Sequence, residues 1–156
     1  MQMKDPINPV ASAWNTSPTA KAKNAVERSV TALLDELAPE RVLKRDRQLA
    51  GPVEQHRTPT GCVLQAADAA VSVSWFAGAG NVLGELRIVV WHGIVQRRGA
   101  PRSQKAAKII EELVLQPIEP PVDDQLWQDA GGRKYNTASL AAKSLALLKE
   151  QVGVQT

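Results

Sequence analysis

The side chains in this sequence best suited to binding a partner are basic residues in two clusters. Residues 97–110 contain five bases and no acid, and a smaller basic cluster occupies residues 41–47. Gly99, Pro101 and Ser103 interrupt the larger run, which is typical of a mobile arm that contacts phosphates. The candidate nucleic-acid contacts are Arg97, Arg98, Arg102, Lys105 and Lys108, with Arg41, Lys44, Arg45 and Arg47 as an auxiliary patch. A solubilising loop and a surface that pairs with acidic groups are the alternative interpretations of residues 97–108.

An acidic block follows the basic one directly. Residues 111–130 contain six acids and no base, so a chain with a net charge of +3 carries two charged blocks of opposite sign. The pI of 9.2 alone therefore overstates the case for nucleic-acid binding. The basic block can bind a partner only if the fold keeps it apart from the acidic block. The acidic block of a second copy of this chain is one candidate partner for residues 97–108.

Catalytic chemistry has weak support in the sequence. Cys62 with His56, His92 and Asp68 could build a thiol–imidazole pair, but a reactive cysteine needs a nearby base and an activating environment. Cys62 instead lies in an apolar, strand-like run, which is typical of a small buried residue. The acids of residues 111–130 lack the spacing of a calcium-binding loop. We predict no catalytic residue and no metal site.

Three glycines superficially match a dinucleotide-binding motif. Gly78, Gly80 and Gly84 have a spacing that is one residue too long for it. They also lie between two predicted strands rather than at the start of a helix, so the backbone cradle for a phosphate is missing. We interpret this segment as a hairpin loop and predict no cofactor.

A strand that is apolar on both faces indicates a protein-binding surface. Ile88 and Val90 fall on one face of this strand, and Val89 and Trp91 fall on the other. Such a strand is either central and covered on both sides, or it lines an interface. Farther along the chain, two aromatic residues flank a glycine turn, where they predict cross-strand contact or, alternatively, a surface anchor for a partner. The candidate partner contacts are Val89, Trp91, Val95, Trp127 and Tyr135.

Two helices are expected, one near each end of the chain. The first is predicted from Pro18 to Leu37, where five apolar residues recur at helical spacing. The second follows a cap at Asn136 or Thr137 and is also amphipathic. Residues 39–60 are interpreted as a polar connector, in which a further helix over 40–49 is an alternative.

The middle of the chain predicts a sheet. Short apolar or alternating runs at 62–65, 71–76 and 86–95 are typical of strands. Residues 105–116 fit a short helix that continues into a strand, and a last hairpin is expected at Gly131-Gly132. The predicted fold class is α+β, with an antiparallel sheet of about 4–6 strands packed with an N-terminal and a C-terminal helix.

Length and composition limit the remaining possibilities. The chain has 156 residues, one cysteine and no long apolar run, which excludes a disulfide framework and a membrane-spanning helix. The predicted organisation is a flexible arm at 1–16, a single α+β domain at 17–152 and a short tail at 153–156. Because no export signal is recognisable, a cytoplasmic location is expected.

Together these features favour a small non-catalytic binding or assembly module. It would act through an apolar sheet surface, with the segregated charged blocks setting orientation and encounter rate. Its expected partner is a protein or a second copy of the chain. A nucleic-acid-binding protein is the first alternative, and a small-ligand or enzymatic pocket between sheet and helices is the second.

Overall fold

The computed structural model describes residues 18–39, 41–42, 53–79, 83–95, 107–122 and 125–152. Its elements are α1 (Pro18–Glu36), β1 (Val53–Thr58), β2 (Gly61–Ala66), β3 (Ala69–Ala77), β4 (Gly84–His92), β5 (Lys108–Val122), β6 (Gln125–Asp129), β7 (Lys134–Tyr135) and α2 (Thr137–Gln151). The predicted arm at 1–16, the tail at 153–156 and most of the two basic clusters lie outside the described residues.

The seven strands form one antiparallel sheet in the order β1-β2-β3-β4-β5-β6-β7. Each strand pairs with its neighbour in the sequence, as antiparallel strands joined by hairpins do. The predicted α+β class, with one helix before the sheet and one after it, is confirmed. The sheet has more strands than the sequence predicts, and β4 is its central strand.

Strand β1 lies inside the segment predicted to be a polar connector. Val53 is its only aliphatic residue, so the alternation that marks the other strands is missing. All six residues of β1 pair with β2, from Val53 opposite Ala66 to Thr58 opposite Gly61. The connector prediction is wrong here because pairing with β2 overrides a weak local preference.

The predicted short helix at the start of the segment 105–116 is also wrong in the part that the structure describes. Lys108–Val122 is one long strand, paired with β4 over its first half and with β6 over its second. Ile109, Ile110 and Leu113 recur at helical spacing, but pairing with β4 overrides this local pattern. The register shifts between Val90 and Trp91, where β5 carries one extra residue in a β-bulge.

Both helices pack on one face of the sheet, here called the core face. Helix α2 contacts β3 and β4 and lies beside α1, which contacts β2. The five apolar residues predicted to form the buried side of α1 are all buried. The amphipathic α2 buries six residues, namely Leu140, Ala141, Ser144, Leu145, Leu147 and Leu148. The largest fully buried side chains are Trp127, Leu33, Leu34, Leu37, Leu64, Leu86, Ile88, Leu115, Leu140, Leu148 and Val26.

Polar contacts hold the helices in place. Gln55 Nε2 donates to the carbonyl oxygens of Leu34, at 3.2 Å, and Leu37, at 3.1 Å, which satisfies acceptors at the end of α1. At the other helix, Asn136 and Ser139 form a capping box, a device that contributes about 1 kcal/mol. Neither helix, within the described residues, is long and apolar enough to cross a membrane.

Candidate functional site

The face of the sheet opposite the helices, here called the open face, is the candidate functional site. Side chains alternate between the two faces along each strand, and those on this face are half-buried or exposed rather than buried, with Ala70 and Gly61 as exceptions. Its principal members on β2 to β5 are Val63, Gln65, Ser72, Ser74, Phe76, Glu85, Arg87, Val89, Trp91, Ile109, Glu112 and Val114. The strand predicted to be apolar on both faces is therefore covered on one side only within the described residues.

Trp91 is the centre of the apolar part of the open face. Its indole N–H donates to Ser72 Oγ at 3.0 Å, which directs the ring across β3. Ala70, directly opposite Trp91, is fully buried although it belongs to the open face. On the other side Trp91 pairs with Ile109, which is 60% exposed. Trp91 and Ile109, with Val89 one row away, form an apolar strip across the middle of the sheet.

Val95 lies just beyond β4 and is tied to the same region. Its backbone N–H donates to Gln65 Oε1 at 3.1 Å, while Gln65 Nε2 donates to the carbonyl of Gly93 at 3.1 Å. Val95 is half-buried. The structure thus brings together three of the five predicted partner contacts, namely Val89, Trp91 and Val95.

Trp127 and Tyr135 belong to the core instead. They are 0% and 6% exposed, and they pair directly across β6 and β7. The Trp127 ring meets Trp75 edge to face, with centroids 5.8 Å apart. Tyr135 donates to Asp129 Oδ2 at 3.4 Å, and burial, reinforced by the negative charge of Asp129, raises its pKa. The described fold therefore leaves neither ring available as a surface anchor, because both fill the space beneath the sheet.

Arg87 on the open face is neutralised within the chain. Arg87 bonds to Glu85 and lies 3.6 Å from Glu112 Oε2, and its guanidinium stacks 5.5 Å from the centre of the Phe76 ring. The hydrogen bond that Arg87 donates to Glu85, together with the negative charge of that carboxylate, raises the pKa of Arg87. Because carboxylates surround this guanidinium, it does not form a phosphate-binding patch.

The structure describes only two of the nine predicted nucleic-acid contacts. Lys108 is exposed at the start of β5, opposite His92. Arg41 is exposed beyond α1 and pairs with Glu36. The remaining residues, which lie outside the described part of the chain, are Arg97, Arg98, Arg102, Lys105, Lys44, Arg45 and Arg47.

Cys62 is a buried core residue and has no imidazole beside it. It is 4% exposed on the core face, whereas His56 lies on the opposite face of the sheet. Cys62 lies opposite Val73 of β3, whereas His92 lies opposite Ala69, four residues away along the same strand. Burial raises the pKa of the thiol to about 11, outweighing the opposing influence of Arg57 and Gln55. This arrangement suits packing rather than nucleophilic catalysis.

We expect Cys62 to resist thiol reagents in the native protein and to react only when the fold opens. The pKa of the Cys62 thiol rises from an ordinary 9.0 to about 11 on folding. Burial of the neutral thiol therefore contributes fully to the free energy of unfolding below pH 9. This contribution is lost as the pH rises from 9 to 11. Denaturant titrations should show a smaller decline over that range for Cys62→Ala than for the natural chain. Rapid labelling of the native protein at pH 8 would contradict the assignment.

Two grooves lie on the surface of the described structure. One groove of about 380 Å³ is lined by residues of β5, β6 and the following turn, among them Val114, Gln116 and Asp129. Another lies on the exposed side of α1, and neither opens between the sheet and the helices. No group of three or more His, Cys, Asp or Glu side chains in the described residues could hold a metal ion.

Comparison of the chain with protein-family models, with curated proteins and with solved structures found no match. The geometry of the open face is therefore the basis on which a function can be assigned.

Proposed function

We propose that the protein is a small, non-catalytic binding or assembly module that docks another protein on the open face of its sheet. The observation that carries the proposal is the apolar strip of Val89, Trp91 and Ile109 at the centre of that face. Contiguous exposed apolar surface with a polar rim is typical of protein-binding sites.

The surroundings of the strip support a protein partner over nucleic acid. A single-strand binder places aromatic rings in a positively charged groove. Here Arg87 is paired with acids and Phe76 is stacked beneath it, while Trp91 is bonded to Ser72. Anchored side chains lose little conformational entropy when a partner covers them.

The proposal is tested with two matched charge substitutions. Val89→Lys places a charge in the apolar strip opposite Glu112, where a cross-strand ion pair keeps the strand stable. Thr31→Lys adds the same charge on the exposed side of α1 and serves as the control. Both variants are expected to retain the far-ultraviolet circular dichroism of the natural chain.

The three forms are immobilised and exposed to a nuclease-treated extract of the source cells. The protein retained by the natural chain is then purified, and its dissociation constant is measured against each form. We expect Thr31→Lys to bind like the natural chain and Val89→Lys to bind at least about tenfold more weakly. Equal binding by all three forms would overturn the proposal. Retention of labelled DNA or RNA, lost steeply with salt, would favour the nucleic-acid alternative instead.

A further inference from the structure

The apolar strip of the open face is bordered by an unbalanced cluster of charges. Within the described residues, Arg87 carries the only guanidinium or ammonium group on this face of β1 to β5. The carboxylates on the same strands are those of Glu54, Glu85 and Glu112. Arg87 donates to Glu85, and its contact with Glu112 is a longer one of 3.6 Å. One guanidinium therefore faces two carboxylates, which leaves a net charge of −1 beside the strip.

Glu112 is the carboxylate that borders the strip directly. It lies opposite Val89, and directly opposed side chains on one face of a sheet have Cβ atoms roughly 5 Å apart. Ile109, which pairs with Trp91, is the preceding residue of β5 on this face, because the bulge lies between them at Ile110. The side chain of Glu112 is 44% exposed. A partner that covers Val89 and Ile109 therefore covers this carboxylate as well.

Covering Glu112 with an apolar or an acidic surface is unfavourable. A carboxylate that loses water without gaining a cation or a hydrogen-bond donor weakens the complex. Arg87 compensates for this loss only in part, because its closer contact is with Glu85 and its guanidinium stacks on the Phe76 ring. The charges beside the strip therefore favour a partner that brings a cation and disfavour one that brings a further carboxylate.

We propose that the protein docked on the open face presents a lysine or arginine to Glu112, next to an apolar side chain that covers Trp91. This inference rests on the proposed function and adds the chemistry of the partner segment. Long basic side chains suit this position, because their aliphatic stems pack on Val89 and Ile109 while the charged head reaches the carboxylate. Arginine has a further advantage, since its planar guanidinium binds a carboxylate through two parallel hydrogen bonds.

Peptide selection tests this chemistry. Random peptides displayed on phage are panned on the natural chain and on three variants. Glu112→Gln removes the charge and keeps the size of the side chain. Glu111→Gln is the matched control, because Glu111 is exposed at the neighbouring position of β5 but lies on the other side of the strand, opposite Val90. Ile109→Ser reduces the apolar strip without changing any charge, so it probes the proposed function itself.

We expect the natural chain and Glu111→Gln to select peptides in which Lys or Arg lies next to an aliphatic or aromatic residue. Synthetic peptides of these sequences are expected to bind Glu112→Gln about tenfold more weakly than the natural chain, with a smaller dependence on salt. Equal affinity for Glu112→Gln, or selected peptides that lack basic residues, would overturn the inference. A dimer of the natural chain that Ile109→Ser dissociates would identify a second copy as the occupant and would overturn it as well.

Failure of this inference and failure of the proposed function give different results. If Glu112→Gln has no effect while Ile109→Ser weakens binding of the selected peptides, the open face docks a partner and only the basic chemistry of that partner is wrong. If Ile109→Ser binds every selected peptide like the natural chain, the apolar strip is not the docking surface. All three substituted side chains are exposed, so each variant is expected to keep the circular dichroism of the natural chain.

Discussion

Replacing Trp127 by alanine is expected to lower the free energy of unfolding by about 3–5 kcal/mol, the range found for large aromatic residues removed from cores. Replacing Trp91 in the same way is expected to cost roughly 1 kcal/mol, because Trp91 lies on the open face and makes one hydrogen bond. Both residues are tryptophans, and both are predicted partner contacts. The comparison therefore isolates the effect of burial.

The large effect at Trp127 has a packing origin. Its side chain is fully buried, contacts Trp75 edge to face and lies opposite Tyr135. Its indole nitrogen has no hydrogen-bond partner among the described residues, so truncation removes dispersion contacts and leaves a cavity without breaking a hydrogen bond. A Trp127→Phe variant keeps part of the ring and should fall between the natural chain and Trp127→Ala.

Urea titrations followed by circular dichroism will measure both effects, since this readout does not depend on the tryptophans themselves. The m-value should stay constant across the variants if only the native packing changes. A cost at Trp91 equal to or larger than that at Trp127 would show that the assignment of the two faces is wrong.

Gly84→Ala is expected to destabilise the protein on the order of 3 kcal/mol, through backbone strain and steric overlap. Gly84 begins β4 with a φ of +133°, a conformation that other L-residues rarely adopt. A Cβ at this position would lie 2.3 Å from the carbonyl oxygen of Phe76 and 2.8 Å from the Trp75 ring. Because the first of these atoms is backbone, the β3–β4 hairpin would have to move to accommodate the methyl group.

Gly131→Ala is the matched control for this prediction. It adds the same methyl group in the turn after β6, where the nearest atom is the flexible Asp129 Oδ1 at an ordinary 3.5 Å. Its effect should stay within about 0.5 kcal/mol. Thermal and denaturant unfolding of both variants will provide the comparison, and a Gly84→Ala protein as stable as Gly131→Ala would contradict the described hairpin.

Hydrophobic periodicity was sufficient to locate the elements that carry a strong local pattern. The buried side of α1, the six core positions of α2 and the alternation of Val71, Val73 and Trp75 follow from spacing alone, because each element has one face that must leave water. Strand β1 has no such pattern, because it contains a single valine among polar residues. It forms a strand because it pairs with β2. The start of β5 has helical spacing, and it forms a strand because it pairs with β4.

The candidate site was only partly predictable for a related reason. The sequence indicates that Val89, Trp91, Trp127 and Tyr135 are apolar or aromatic residues on strands, but it does not show which sheet face the helices cover. Composition, periodicity and turn residues determined the α+β class, the two helices and the presence of an unusually apolar central strand. Only the tertiary structure separated the two tryptophans, placed Arg87 between carboxylates and exposed Ile109 and Ile110 on β5, because burial and strand pairing depend on contacts between residues far apart in the chain.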